Sequence, residues 1–218
     1  MKGDVLVIEE HHRRAAARLA SELLRAVPPA PARLVVTVAG ESGSGKSETA
    51  TALSDELRRL TGLGALVLGQ DDYFALPPRS NDARRREDPE WLGPHCEVRL
   101  DLLQDNLDAA REGATSIEKP LVDYAADSVA SEVVALGDAR VVVAEGTYVS
   151  LLRHVDCRVF IARSRLETRE HRLRRNRGGE ALDPFVESVL DTEHKIIAGH
   201  RHLADVVLTR EFDVVRQR

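Results

Sequence analysis

Between residues 9 and 27 the apolar positions Ala16, Leu19, Ala20, Leu23, Leu24 and Val27 recur at helical spacing, which predicts an amphipathic helix. Pro28-Pro29-Ala30-Pro31 cannot continue it and predicts a stiff connector. From Arg33 onward the pattern changes to short, almost wholly apolar runs at 34–39, 65–68, 140–144, 157–161 and 205–208, and each predicts a strand. Residues 46–60 and 98–112 read as helices between them. Short apolar strands alternating with helices indicate a parallel sheet covered on both faces. The expected fold is three-layer α/β around a five-stranded parallel sheet, with ligands beyond the carboxyl ends of the strands. The helix and connector of 1–31 are expected to lie outside the domain of 32–218, packed on it or on a second copy in a homodimer. Residues 77–94, rich in proline and charge, predict an irregular insert on the substrate side.

Composition narrows this picture. The chain's 218 residues suffice for one well-buried α/β domain and are too few for two. No run reaches eighteen apolar residues, so no membrane partner is expected. The start of the chain carries no signal-peptide core, and Cys96 and Cys157 lack metal-ligand spacing; together these predict a cytoplasmic protein with reduced thiols. A net charge of −5 argues against nucleic acid as the main partner. Arginines nevertheless crowd into 163–177.

The strongest local signal is Gly40-Glu41-Ser42-Gly43-Ser44-Gly45-Lys46-Ser47, a full match to the phosphate-binding pattern G-x-x-x-x-G-K-[ST]. Gly40, Gly43 and Gly45 let the backbone curl, so that N–H groups, including those of Ser42 and Ser44, form a nest for phosphate oxygens. Lys46 brings a compact charge to the β and γ phosphates, and the Ser47 hydroxyl is placed to ligate Mg²⁺. Thr49 extends the set in the first turn of the following helix. A Gly/Ser-rich linker is the competing reading, and the strand before and helix after count against it. A nucleoside triphosphate is the expected ligand.

Two strand ends add carboxylates beside this loop. One reads Gln70-Asp71-Asp72-Tyr73-Phe74, the other Glu145-Gly146-Thr147-Tyr148. Glu145 suits Mg²⁺ coordination, directly or through water. Asp71 could take the proton of an acceptor hydroxyl and also lie near the metal. For Asp71-Asp72 a turn or helix cap is the plainer alternative, and for Tyr73 and Phe74 core packing competes with lining an acceptor pocket.

These three segments together resemble the uridine kinase, nicotinamide riboside kinase and phosphoribulokinase group of P-loop small-molecule kinases, over residues 33 to about 209. The resemblance implies the P-loop NTPase fold, ATP and Mg²⁺. It maps the catalytic base onto Asp71 and the metal-binding acid of Glu-Gly onto Glu145. An acceptor-sugar aspartate corresponds to Asp88, although the segments 87–91 and 94–97 both fit in part. Lys119-Pro120-Leu121-Val122-Asp123-Tyr124 resembles the nucleoside-side segment, with Val122 where tyrosine is expected, and marks Asp123 and Tyr124 as substrate-binding. A helical lid is implied at about 163–180, with Arg172 and Arg175 as the arginines that meet the migrating phosphoryl group and Arg177-Gly178-Gly179 as its hinge. A solvated helix with Glu167 and Glu170 as ion-pair partners is the plainer reading of that segment. His11-His12 reads as a solvated helix end, and the histidines of 193–202 as helix surface.

Asp-x-x-Gly, Asn-Lys-x-Asp and Leu-Ser-Gly-Gly-Gln strings are absent, which sets aside GTPases and transporter ATPases. The expected activity is transfer of the γ-phosphoryl of ATP to the hydroxyl of a nucleoside-like small molecule. A sugar or coenzyme-precursor acceptor is the alternative within the class, and a nucleotide sensor without turnover is the alternative outside it.

Overall fold

Every residue of strand β1 (Leu34–Gly40) is buried, as its unbroken apolar pattern requires. In the computed structural model, which describes residues 6–62, 64–168 and 183–217, β1 lies inside a six-stranded sheet. Its partners are β2 (Gly64–Gly69), β5 (Ala139–Gly146), β6 (Cys157–Ile161), β7 (Val206–Leu208) and β8 (Val214–Arg216), in the order β2-β5-β1-β6-β7-β8. The first five are parallel, as expected, and β8 adds an antiparallel edge to β7.

Alternation along the strands feeds two cores. Val36, Val38, Val141, Val143 and Ile161 face one side, where α1 (Glu10–Leu23) and α2 (Lys46–Thr61) cover them. Val35, Ala39, Val142, Ala144 and Phe160 face the other, against α4 (Leu100–Arg111) and Ile197 of α5 (Pro184–Ala198). The leading helix is thus no appendage. Ala15, Ala16, Leu19, Ala20 and Leu23 share a core with Ala50, Leu53 and Leu57 of α2. It ends at Leu23 in a short 3₁₀ turn, before the Val27 boundary expected from the pattern. His12 is 1% exposed, so the solvated helix end expected at His11-His12 is corrected: the ring is buried against Phe212.

Two further elements departed from expectation. The supposedly irregular 77–94 contains α3 (Pro78–Glu87), which starts with proline at its first position, where the missing N–H costs nothing. It is laced by Arg86–Asp82 and Arg84–Asp88 pairs instead of being marked by apolar periodicity. Residues 116–135 form an antiparallel hairpin of β3 (Ser116–Asp123) and β4 (Ser128–Ala135). Asp72 anchors it, accepting Lys119 Nζ at 2.8 Å and the Val122 N–H at 3.1 Å. The expected lid falls largely on 169–182; Arg172, Arg175 and the 177–179 hinge lie outside the described residues. Among the described residues no helix is long and apolar enough to cross a membrane.

Candidate active site

The phosphate loop follows β1 and opens α2, as its sequence requires. Gly43 (φ 74°) and Gly45 (φ 97°) hold left-handed backbone that a side chain would disfavour, and Gly45 caps α2. Lys46 Nζ donates to the Glu41 carbonyl at 2.9 Å and closes the loop on itself. Among the described residues Ser44 Oγ and Thr49 Oγ1 find no hydrogen-bond partner, though both are buried. Both residues are fully buried, and the groups that suit a bound phosphate chain are the loop amides and Lys46 at the amino end of a 16-residue helix.

Glu145 stands at the carboxyl end of β5, level with Val38 of β1 and Gly69 of β2. The neighbours are shaped around it: a Cβ on Gly69 would lie 3.1 Å from Glu145 Oε1, and one on Gly146 would collide with Gln70 Cβ at 2.3 Å. Gln70 Oε1 in turn accepts the Tyr148 N–H at 2.7 Å and fixes the turn after β5. Burial pushes the Glu145 carboxyl up to about 7, and the Asp71 charge adds to this, while Lys46 and a hydrogen bond from Ser47 oppose it. A hydroxyl, two carboxylates and one lysine therefore share one spot. The oxygen donors suit a hard divalent cation, whose charge would return Glu145 to its ionised form.

These groups border a cleft of about 510 Å³ that runs from the phosphate loop toward α3, the β3 end and α5. The Zeta toxin family model matches residues 17–128, half of the chain. The chain belongs to the Zeta toxin family. It is also 31% identical over 196 residues to the bifunctional α-galactosidase/sucrose kinase AgaSK of Mediterraneibacter gnavus, covering 85% of this chain but only 21% of that protein. The uridine kinase of Bacillus mycoides (strain KBAB4) is 25% identical over 189 residues, covering 80% of this chain and 84% of the enzyme. The fold matches the structure of a possible uridine kinase from Bacillus stearothermophilus with a TM-score of 0.65 at 21% identity, over 92% of this chain and 98% of that one. The motif-based resemblance to the uridine kinase group holds, and this Zeta toxin family member is a phosphotransferase of the P-loop kinase class with a hydroxyl-bearing acceptor.

Within the family member's cleft, Ser42, Gly43, Lys46, Ser47, Asp71, Phe74, Tyr124 and Glu145 are brought together as lining. Other expected residues lie elsewhere. Tyr73 is wholly buried, its hydroxyl accepts Asn106 Nδ2 at 3.0 Å, and burial pushes the phenol up to about 12; it belongs to the core. Asp88 lies at the carboxyl end of α3, paired with Arg84 at 3.0 Å and accepting the Glu90 N–H at 3.1 Å, and does not border the cleft. Asp123 accepts the Ala126 N–H at 2.9 Å in the turn beside Tyr124.

Several bordering groups went unread in the sequence. Arg85 of α3 donates from Nε to Glu97 at 2.6 Å, and Glu97 is fully buried, accepting also the Gly93 N–H at 3.0 Å. Tyr148, near Glu97, has its phenol pushed up by burial. Glu193 enters from α5; burial raises its carboxyl to about 7, Arg85 opposing and Glu97 reinforcing the shift. His194, expected on the helix surface, has a side chain 40% exposed there and also meets the loop, with Nδ1 2.8 Å from Glu41 Oε1. The other Glu41 oxygen accepts the Arg165 N–H at 2.5 Å, and Thr168 Oγ1 donates to the Ser42 carbonyl at 3.0 Å. No motif announced the last three contacts, because each joins segments more than a hundred residues apart in the chain.

Proposed function

We propose that the chain is an ATP-dependent kinase that transfers the γ-phosphoryl group to a hydroxyl of a nucleoside-like molecule. The observation that carries this reading is the convergence of Lys46, Ser47, Asp71 and Glu145 at one end of a single cleft whose other end has room for an acceptor. The loop amides and Lys46 bind the β and γ phosphates. Ser47 and Glu145, with Asp71 close by, are the donors that would hold Mg²⁺. The ion, when bound, neutralises charge on the phosphate oxygens. Asp71 accepts the proton of the attacking hydroxyl as the acceptor oxygen bonds to phosphorus and the bond to ADP breaks. Among the arginines of 163–177, Arg172 and Arg175 are assigned to the migrating group.

The uridine kinase relatives favour a ribose hydroxyl. A second reading, a sugar hydroxyl outside a nucleoside, draws on the higher identity to a protein with sucrose kinase activity. An ADP-release screen with Mg·ATP against nucleosides, nicotinamide riboside, free sugars and coenzyme precursors tests both. The expected result is one acceptor class whose turnover disappears in Asp71→Asn while ATP binding persists. Turnover that survives this substitution would remove Asp71 from its role. An ATP-binding protein silent with every acceptor would support the sensor reading.

A further inference from the structure

Glu193 is an unusual carboxylate. Its side chain is only 13% exposed, yet it borders the cleft, and the nearest cation among the described residues, Arg85 Nη2, is 3.9 Å away, beyond hydrogen-bond reach. The guanidinium of Arg85 is turned instead to Glu97, at 2.6 Å. Among the described residues no hydrogen bond is made to the Glu193 carboxylate. A half-covered carboxylate that faces the cleft without a protein donor is open to hydrogen bonds from whatever fills the cleft. Apolar walls flank it: Val186, Val189 and Leu190 from its own helix, and Phe74 and Leu76 from across the cleft.

Two of the cations around this end are already matched. Arg85 faces Glu97, and Arg86 is held by Asp82 at 2.9 Å and Asp183 at 2.5 Å. Arg79 is exposed at the solvent edge. An anionic group on the acceptor would lie against Glu193; of the lining cations without an ion pair among the described residues, Arg79 is exposed and Lys46 belongs to the phosphate loop. A neutral hydroxyl would donate to Glu193, while apolar C–H faces rest on the walls.

On the strength of the kinase reading above, we propose that Glu193 is an acceptor-binding residue, taking hydrogen bonds from a neutral polyhydroxyl acceptor, and that it discriminates against phosphorylated forms of that acceptor. The remaining hydroxyl, nearer Asp71, receives the phosphoryl group.

The test uses the full chain with Mg·ATP and matched acceptor pairs: uridine with uridine 5′-monophosphate, fructose with fructose 6-phosphate, and sucrose with sucrose 6-phosphate. Wild type, Glu193→Gln and Glu193→Ala are compared, the isosteric Gln variant guarding against a folding failure in Ala. The expected result is turnover of a neutral member with kcat/KM about 10-fold or more above its phosphorylated partner. Both variants should raise the acceptor KM, by about 10-fold in Ala, and leave the KM for ATP within about two-fold. Preference for the phosphorylated member, or an acceptor KM unmoved in both variants, overturns the proposal and leaves the kinase reading standing. Silence of wild type with all six acceptors, when ATP is still bound, removes both.

Discussion

The imidazole of His12 is packed against Gly45 of the phosphate loop so closely that a Cβ on Gly45 would lie 2.7 Å from Nε2. The contact ties the leading helix to the nucleotide site. His12 Nδ1 accepts the Glu9 N–H at 3.0 Å and caps its own helix, and the ring stands edge-on to Phe212 at 4.8 Å. Phe212 is buried in spite of a left-handed backbone (φ 63°), a conformation that costs a bulky residue roughly 1–3 kcal/mol and persists where packing over-determines it. Gly45→Ala should therefore fail twice, through its own φ of 97° and through His12. Nucleotide affinity is expected to fall by about 100-fold, measured by calorimetric titration with ATP. His12→Ala opens a cavity behind the loop, with an expected loss of roughly 2–3 kcal/mol in urea unfolding and a weaker ATP affinity. ATP affinity equal to wild type in the His12 variant would show that the helix does not brace the loop.

Adjacent aspartates should separate chemistry from architecture. Asp71 borders the cleft, whereas Asp72 is 4% exposed and faces Lys119, which also meets Glu132 at 2.7 Å. Asp71→Asn is expected to lower kcat about 10²–10⁴-fold with the melting temperature nearly unchanged. Asp72→Ala leaves Lys119 and the Val122 N–H short of an acceptor and should cost about 3 kcal/mol of stability. Parallel kinetics and denaturation on the two variants check this, and equal destabilisation by both would contradict the division of labour.

The sequence disclosed the parts of the site whose chemistry demands close spacing. A glycine-rich loop, its lysine and its serine occupy eight consecutive positions, and Asp71 and Glu145 each follow an apolar run, so their placement could be reasoned from strand ends. Tyr73 shared that local signature but its hydroxyl turned into the core toward Asn106. Arg85, Glu97 and Glu193 were silent because each is an ordinary charged residue until α3, the turn before α4 and α5 meet. The helix α3 escaped because its stability comes from arginine–aspartate pairs and its capping proline, with no apolar stripe to read. His12 escaped for a similar reason: its burial depends on Phe212, two hundred residues further along.

Glu41 connects the loop to the residues described on either side of 169–182. Its carboxylate joins the Arg165 N–H and His194, and Arg165 in turn pairs with Glu187 at 3.1 Å and Asp191 at 2.9 Å on α5. Its backbone carbonyl, which holds Lys46, would survive substitution of the side chain. Glu41→Ala should therefore keep the loop closed but free α5 from it. The expected outcome is a KM for ATP raised by about 10-fold with the acceptor KM changed much less, read from initial rates with each substrate varied. An unchanged KM for ATP would mean that the linkage is only structural.

The raised carboxyl of Glu193 has a consequence for stability that does not depend on any substrate. In the unfolded chain a glutamate titrates at its ordinary value of 4.5, and in the fold burial lifts Glu193 to about 7, with Arg85 and Lys46 opposing and Glu97 and Asp71 assisting. Between these values the folded protein holds the extra proton, so its stability falls as pH rises through the interval. Below pH 4.5 the group is protonated in both states and the penalty vanishes. Above 7 it is fully present, at about 3 kcal/mol. Glu193→Gln cannot ionise and avoids it. Urea unfolding of the ligand-free protein should find the variant and wild type nearly equal near pH 4.5, with the variant pulling ahead by about 3 kcal/mol at pH 8. A stability difference that stayed flat across this range would place the carboxylate in a solvated setting and deprive it of the buried character on which its role toward the acceptor depends.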